Sequence, residues 1–576
     1  MQLVKSESKN ATSLYVTKSV RENGKRTTKV IERLGTVADL EKKLDGADPI
    51  AWAEEYVKEL TRLDKEGRRE IMVKYSPVKV IDKDEKRLYM GGYLFLQKIY
   101  YELGIDKICQ AITKKYAYQY DMDAILSRLL YGRILFPTSK RSTYELSGKF
   151  FEPPRFDPHQ MYRALEVIGN ELDFIQSALY KRSKKIMNRK TGILYYDCTN
   201  YFFEIEQEEG LKAYSHSKEN RPNPVVQMGL FMDGGGIPLA FCITDGHDNE
   251  QTTLRPLENK ILEDFGLSRF IVCTDAGLSS AENRRFNSRG TRAFVTVQSI
   301  KKLKSYLKEW ALSPEGWRLP DDDPVKRYHI NDIDDDEYKE AVFYKERWIG
   351  DDALEQRLIV TYSIKYRNYL RSIRNGQIER AERLIKTNPS KLKAAHPNDF
   401  KRFIRKINIT DDGEVAQKTI YSINADVARA EEVYDGFYAV CTNLEDDPSV
   451  IIQINKRRWE IEECFRILKT EFKARPVYLK RDERIKAHFT TCFISLLMYR
   501  ILENKLGEAF TCSQIIHELR DMHFLAIDRE GYTPAYTRTD FTDALHDAFG
   551  FRTDYQILTN EYMKKLLKIS KNPKTL

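Results

Sequence analysis

No pair of cysteines in this 576-residue chain falls at C-x-x-C spacing. The eight cysteines are scattered, and Cys242, Cys273, Cys441 and Cys492 lie inside apolar runs. That usage argues against a zinc ribbon or a disulfide framework and for reduced, packed thiols. A Walker-type glycine loop, an H-E-x-x-H helix and a G-x-S-x-G elbow are also missing, so ATP, zinc-protease and serine-hydrolase chemistry have no support. Long apolar runs are scarce. The longest, Phe489 to Leu502, is broken by polar residues and reads as a core helix, not a membrane span. No signal peptide is visible, and a soluble, cytoplasmic protein without a membrane partner is expected. The basic excess is modest, and the chain ends in the lysine-rich stretch Lys564-Lys-Leu-Leu-Lys568. Net charge is +9 with 31% charged residues, so any nucleic-acid contact must come from local patches.

The length is enough for three or four domains around a well-buried main core. Tyrosine is common, with 34 copies, supplying stacking surfaces as well as core. One stretch concentrates chemistry: Asn455-Lys-Arg-Arg458-Trp459-Glu-Ile-Glu462-Glu-Cys-Phe465-Arg-Ile-Leu-Lys469. Read as a helix at about 100° per residue, it puts Asn455, Arg458, Glu462, Arg466, Lys469 and Lys473 on one stripe. Ile454, Ile461, Phe465 and Leu468 form an adjacent apolar stripe. A carboxylate flanked by cations suits a metal held beside a phosphodiester. The alternative is a solvated helix face laced with i,i+4 ion pairs.

Two upstream aspartates sit where such a glutamate would need them. Gly192 to Asp197 reads as a buried strand with Asp197 at its exit. Val225 to Met232 and Leu239 to Thr244 read as strands around the turn Asp233-Gly-Gly-Gly-Ile-Pro238. Thr252 to Gly266 has helical spacing, with Pro256 tolerable near a helix start. Phe270 to Asp275 is a further strand ending in Asp, and the chain turns helical from Ser280. Three antiparallel strands, a helix, a strand and a helix is the order of an RNase H-like core. Such carboxylates can hold two divalent ions about 4 Å apart for in-line phosphoryl transfer, and hard oxygen donors select Mg²⁺. Either aspartate alone also fits a turn or helix cap.

These residues resemble a known family. From about Leu126 to about Leu502 the chain is similar to bacterial insertion-sequence transposases of the DDE type, in the IS-four-like superfamily. The first landmark is Tyr196-Asp197-Cys-Thr199, then Ser215-His-Ser217-Lys218-Glu-Asn-Arg221-Pro222 and Gln227-Met-Gly229-Leu230. Next come Gly236-Ile-Pro238 with Asp245-Gly246-His-Asp-Asn249-Glu250-Gln-Thr-Thr-Leu254, and Thr274-Asp275-Ala-Gly277-Leu-Ser279. The last is the motif helix with Arg475-Pro476-Val477-Tyr478 and Arg484-Ile485-Lys-Ala487-His488. The family helix carries Y-x2-R-x3-E-x6-K, which Arg458, Glu462 and Lys469 fit, while Asn455 stands at the tyrosine position. Glu460 and Glu463 lie off that stripe.

The resemblance implies Asp197, Asp275 and Glu462 as catalytic metal ligands for two Mg²⁺, with Mn²⁺ as a substitute. It implies phosphate or DNA contacts from Arg458, Lys469, Asn455, Trp459, Lys218 and Arg221. Core packing is the alternative for Trp459, and an exposed loop is the alternative for Ser217, Lys218 and Arg221. His488 reads as a neutral, hydrogen-bonded structural histidine. The expected activity is cleavage of the ends of the chain's own insertion sequence and joining of the 3′-OH to target DNA. The expected partners are double-stranded terminal inverted repeats and target DNA, bound by a homodimer or higher assembly associated with the nucleoid. A metal-dependent nuclease without strand transfer and an inactive transposase-derived DNA-binding protein are the rivals; the arginines and lysines around Glu462 argue against a carboxylate-pair glycosidase.

Six segments follow. Residues 1–80 hold a hairpin, Leu14 to Val20 and Thr27 to Leu34 around Asn23-Gly24, and a helix from about Ala38 to Lys65. Its cations, Lys18, Arg21, Lys25, Arg26, Lys29 and Arg33, suit a DNA backbone or an ordinary solvated ribbon. Residues 81–190 are mostly helical, broken at Leu103-Gly104 and Phe136-Pro137. Arg128, Arg133, Lys140 and Arg141 cluster there, and the region is expected to read DNA by helices or to pack a dimer. Residues 191–300 and 434–475 form the split core. Residues 301–433 are an insertion with strands at Phe343-Tyr, Leu358 to Tyr362 and Thr419 to Ser422, and a basic helical piece from Tyr366 to Lys406. The strand Gly436 to Asn443 returns to the core, and residues 476–576 are helical.

Overall fold

The computed structural model describes residues 1–8, 11–22, 25–44, 48–67, 71, 73, 76–116, 118–205, 207–215, 221–320, 322–351, 354–387, 398–409 and 418–573. The expected hairpin turn Asn23-Gly24 and the loop residues Ser217 and Lys218 lie outside them. The chain forms two compact units, Met1–Lys86 with Ile527–Glu530, and Arg87–Ala526 with Gly531–Leu576.

In the first unit, β1 (Gln2–Ser8) pairs antiparallel with β2 (Ala11–Glu22), and β2 with β3 (Lys25–Thr36). Leu14 and Val16 alternate inward along β2 and are fully buried. The single helix expected after the hairpin is two, α1 (Val37–Lys43) and α2 (Pro49–Gly67). Pro49 explains the break, since a ring without an N–H suits a first helical position and not an interior one. Lys18 is paired with Asp64 of α2, so one of the ribbon's cations is engaged within the unit.

The second unit opens with β4 (Leu88–Met90) and six helices. These are α3 (Tyr93–Glu102), α4 (Ile105–Tyr116), α5 (Met122–Leu135), α6 (Lys140–Ser147), α7 (Pro158–Asn170) and α8 (Leu172–Ile186). The expected breaks at Leu103-Gly104 and Phe136-Pro137 are present. The four cations grouped there are not one surface. Arg128 and Arg133 are buried and donate to the carbonyls of Glu152 (2.7 Å) and Phe472 (2.9 Å). Burial, with Arg133 alongside, brings Lys140 down to about 7. Of this group Arg141 alone is exposed. Helix-borne DNA reading through Arg128, Arg133 or Lys140 is therefore excluded by packing.

A large mixed sheet follows, giving the expected mixed α/β class. Its strands are β5 (Ile193–Phe202), β6 (Val225–Asp233), β7 (Pro238–Asp245), β8 (Ile271–Thr274), β9 (Ala293–Val297), β10 (Phe343–Asp351), β11 (Leu354–Tyr362) and β14 (Phe437–Thr442). Their order is β10-β11-β14-β9-β8-β5-β6-β7. β5, β6 and β7 are antiparallel, β5, β8 and β9 parallel, and β9, β14, β11 and β10 antiparallel. Every residue of β6 is buried, because helices cover both faces of the sheet.

On one face lie α9 (Glu250–Asp264) and α10 (Ala281–Asn287), with Leu254, Leu257 and Ile261 packed on Leu194, Tyr196 and Phe231. Pro256 sits in the second turn of α9, further inside than expected. Tyr196 donates to or accepts from Thr253 at 2.7 Å and fills the space above Gly229. A Cβ on Gly229 would meet the Tyr196 Oη at 2.2 Å and the Cys242 Sγ at 3.0 Å. Gly229→Ala is expected to destabilise this layer by about 1–3 kcal/mol, read as lost native-state hydrogen-exchange protection of the β5 and β6 amides.

The chain leaves the sheet after β9 through α11 (Ser305–Leu312), returns as the edge pair β10 and β11, leaves again after β11 and comes back along β14. Between them lie α12 (Ile364–Thr387), β12 (Ile404–Ile409), β13 (Lys418–Ile423) and α13 (Ala425–Glu432). The basic piece is helical only in part, since Ile404–Ile409 is a strand paired with β13. Trp317, Phe343, Leu358 and Tyr362 form a separate core beneath this excursion. After β14 come α14 (Pro448–Lys456), α15 (Trp459–Arg466) and a π-helical turn, Ile467–Glu471.

The last segment is α16 (Asp482–Lys505), α17 (Cys512–Asp521), β15 (His523–Ile527), β16 (Gly531–Pro534), α18 (Asp540–Phe549), β17 (Leu558–Thr559) and α19 (Asn560–Ser570). It is not purely helical as expected, because β15, β16 and β17 join β4 in a small sheet. Helix α16, 24 residues long, is long and apolar enough to cross a membrane, contrary to expectation, and most of it is buried in the unit's main core. All eight cysteines carry free thiols, buried except for the half-buried Cys242.

Candidate active site

Residues of a strand alternate between faces, and on β5 this alternation separates two jobs. Tyr196 and Cys198 face α9, while Tyr195, Asp197, Thr199 and Tyr201 face the segment formed by α14, α15 and the π turn. Tyr195 Oη donates to the Ile454 carbonyl at 2.9 Å, and Lys469 Nζ donates to Thr199 Oγ1 at 2.6 Å. The Lys469 ammonium also lies over the Tyr201 ring, 5.5 Å from its centroid.

Asp197 is in the middle of β5, not at its exit as its sequence suggested; the strand continues through Phe202. Its neighbour is set by register. β5 and β8 run parallel with Tyr196 opposite Thr274, so the next residue on each is Asp197 and Asp275, side by side at a strand spacing of about 4.8 Å. Asp275 directly follows β8, at the strand exit expected for it, and caps the short 3₁₀ turn Ala276–Leu278, accepting from the Leu278 N–H at 3.0 Å. Asp197 Oδ1 accepts from the Cys198 N–H at 2.8 Å. Asp275 thus serves as a cap while lying beside Asp197, which caps no turn or helix.

The continuous motif helix is a correction. α14 ends at Lys456, and α15 begins at Trp459. Across the break the hydrogen bonds shift to i→i+3 spacing, from Arg458 N to Asn455 O (3.1 Å), Glu460 N to Arg457 O (3.1 Å) and Ile461 N to Arg458 O (3.2 Å). Such overwinding, followed by the wider π turn that carries Lys469, bends the single stripe out of line. Lys473 falls beyond the helix with a φ of 45°. Arg466 pairs with Glu463 and Arg457 with Glu460, so the two other glutamates are engaged elsewhere.

Arg458 is the centre of what remains. Its guanidinium pairs with Glu462 Oε1 at 3.1 Å. Burial works against its charge, but Tyr438, Glu462, Asp197 and Asp275, in that order, hold its pKa above the ordinary value. Glu462 is thus ion-paired with this arginine, and the charges of Asp197 and Asp275 also act on it. The Glu462 side chain is 56% exposed, so this cluster opens to solvent.

The other expected contacts divide. Trp459 is 61% exposed, which removes the core-packing alternative. Asn455 lines a cavity with Tyr438, and its Oδ1 is buried without a donor. Arg221 stacks on Phe202 at 4.3 Å, at the end of β5 and on its other face from Asp197. His488 is buried, with Nε2 3.0 Å from the Ala474 carbonyl, and burial drives its pKa well below the usual value; it is the neutral structural histidine expected. One residue was missed: Thr199, which accepts from Lys469. Thr199 was legible, two residues from Asp197 on the same strand face.

The family model described as a transposase DDE domain matches residues 202–498. The chain belongs to that family. In this transposase the matched span contains Asp275 and Glu462 and starts just after Asp197. No curated protein matches. Among solved structures, the chain is similar to a piggyBac transposase synaptic complex with hairpin DNA, with a TM-score of 0.36, 7% identity and coverage of 75% of this chain and 78% of that one. It is also similar to a Mos1 transposase paired-end complex with the left transposon end, with a TM-score of 0.13, 14% identity and coverage of 41% and 64%.

Proposed function

We propose that this transposase is of the IS-four-like kind, cutting the ends of its own insertion sequence and joining the 3′-OH to target DNA. The observation that carries this reading is the β5–β8 register that sets Asp197 beside Asp275, together with the Arg458–Glu462 pair on α15. The core is RNase H-like and in two pieces, residues 191–300 and 434–475, split by the 301–433 insertion, whose strands β10 and β11 extend the same sheet. Residues 1–80 and 81–190 would bind the terminal inverted repeats, and 476–576 would close the core.

Three carboxylates form a hard oxygen donor set, which fits Mg²⁺, or Mn²⁺ in its place. Two such ions, when bound by Asp197, Asp275 and Glu462, would activate the attacking oxygen and stabilise the leaving one. Arg458, paired with Glu462, has donors to spare for a phosphate oxygen. Lys469, anchored on Thr199, fixes a second phosphate on the same side of β5. Lys218 and Arg221 are the further proposed DNA contacts, Arg221 from the other face of β5. The chain works as a homodimer or higher assembly on DNA in the cytoplasm, at the nucleoid.

Trp459 stands one residue from Arg458 with its ring in solvent, suited to stack on an unpaired base at the cut end. Trp459→Ala is expected to leave the unfolding midpoint unchanged and to weaken binding of a frayed end by about 10-fold. Equal loss on fully paired DNA would assign the ring to backbone contact instead.

The reading is tested with DNA carrying the ends that flank the gene, in Mg²⁺, comparing wild type with Glu462→Gln. Cleaved and joined products in wild type alone, with DNA binding kept in the variant, support it. Cleavage without joining makes the chain a nuclease, and no cleavage with tight binding makes it an inactive DNA-binding relative.

A further inference from the structure

Asp275 is held in two places. Its backbone is fixed by β9: the carbonyl accepts from Thr296 Oγ1 at 3.3 Å, and that hydroxyl accepts from Thr274 Oγ1 at 2.9 Å. Its side chain is fixed by the 3₁₀ turn that follows. The Leu278 N–H is shared between the Asp275 carbonyl, at 3.4 Å, and Oδ1, at 3.0 Å. The turn also wraps the carboxylate closely. A Cβ on Gly277 would meet Asp275 Oδ1 at 3.3 Å and Oδ2 at 3.4 Å. Where the turn sits therefore decides where the carboxylate points.

Three residues with one long backbone bond do not hold such a place alone. The outside support is Asn283 of α10, which is 4% exposed. Its Nδ2 donates to the Leu278 carbonyl at 3.1 Å and to the Gln251 carbonyl, in the first turn of α9, at 3.0 Å. Two carbonyl acceptors settle the orientation of the amide, since turning it over would set oxygen against oxygen. A hydroxyl at this position would have one hydrogen to give where the amide gives two.

Asn283 is itself braced. Its N–H donates to Ser280 Oγ at 3.2 Å, and its carbonyl accepts from Asn287 Nδ2 at 3.3 Å. Asn287 Nδ2 also donates, at 3.1 Å, to the Glu258 carboxylate, fully buried on α9. A continuous set of hydrogen bonds thus runs from α9 through α10 and Leu278 to the carboxylate of Asp275.

We propose that Asn283 is a positioning residue: by tying Leu278 to α9, it sets the direction in which Asp275 presents its carboxylate to a divalent cation. It acts through Leu278 and Asp275, not on the cation itself. The inference rests on the proposed role of Asp275 as a metal ligand.

The test is Mn²⁺ binding to the full-length protein, followed by the electron paramagnetic resonance signal of the free ion, so no activity is required. Asp275→Asn should weaken binding by about 100-fold or more. Asn283→Leu, of the same branched shape and without donors, should weaken it by about 10-fold. In an Asp275→Asn background Asn283→Leu should have no further effect, because the residue acts through that carboxylate. Unchanged binding in Asp275→Asn would overturn the carboxylate reading and this inference with it. Weak binding in Asp275→Asn with wild-type binding in Asn283→Leu would overturn the inference alone. An equal loss in the Asp275→Asn background would also overturn it, because the amide would then act through the fold. If Asn283→Leu does not fold, Asn283→Ala removes the same donors without added bulk. It carries the same expectation of about a 10-fold loss that disappears in Asp275→Asn.

Discussion

Changing any one of Asp197, Asp275 or Glu462 to its amide should lower single-turnover cleavage of DNA ends by roughly 1,000-fold or more, with binding of those ends within about 2-fold. The size follows from metal catalysis, where charge stabilisation contributes several kcal/mol and each 1.36 kcal/mol is about tenfold in rate. Folding should tolerate all three changes. An asparagine at 197 still accepts from the Cys198 N–H, and one at 275 still caps Leu278. Glu462 is more than half exposed, so its pair with Arg458 contributes at most about 1 kcal/mol. Glu460→Gln and Glu463→Gln are the matched controls, since those carboxylates pair with Arg457 and Arg466. Both should keep cleavage within several-fold of wild type. A dead Glu460→Gln beside an active Glu462→Gln would move the third carboxylate by two residues and break the proposed site.

The parts of this site that were legible are those written in local periodicity. Asp275 follows an apolar run that stops, so its place at a strand end was readable. Asp197 was misplaced because the run does not stop: Cys198, Tyr201 and Phe202 continue the buried pattern, and only the sheet reveals that β5 extends past its neighbour β8. The stripe from Asn455 to Lys473 assumed a uniform 3.6-residue turn, and no residue type announces the change to 3₁₀ and then π spacing. Asn283 was hidden for a different reason. Helical spacing from Ser280 gives α10, but not that the Asn283 amide meets the carbonyls of Leu278 and Gln251. Likewise the cations near Pro137 are a cluster in sequence, while Arg128 and Arg133 are consumed by buried carbonyls that arrive from elsewhere in the chain.

The largest expected loss of stability lies away from the carboxylates, at Asp233. This residue ends β6 and caps the turn into β7, accepting at Oδ1 from the N–H groups of Gly235 (2.9 Å) and Ile237 (3.2 Å). Its Oδ2 pairs with Arg189, and the side chains are 0% and 2% exposed. Arg189 in turn donates to Ser183 Oγ at 2.7 Å and to the Pro238 carbonyl at 2.9 Å, tying the end of α8 to the β6–β7 turn. Asp233→Ala leaves a buried guanidinium without its counter-charge and two N–H groups without an acceptor, a loss of about 3–5 kcal/mol. Native-state hydrogen exchange reads this locally, so the two-unit chain need not unfold in one step. Protection of the β5, β6 and β7 amides should fall by roughly 100- to 1,000-fold or more, at about tenfold per 1.4 kcal/mol. Adding Arg189→Met to Asp233→Ala should recover part of that loss, because it removes the stranded charge. If the double variant is no better protected than Asp233→Ala alone, the turn hydrogen bonds, not the ion pair, hold this end of the sheet.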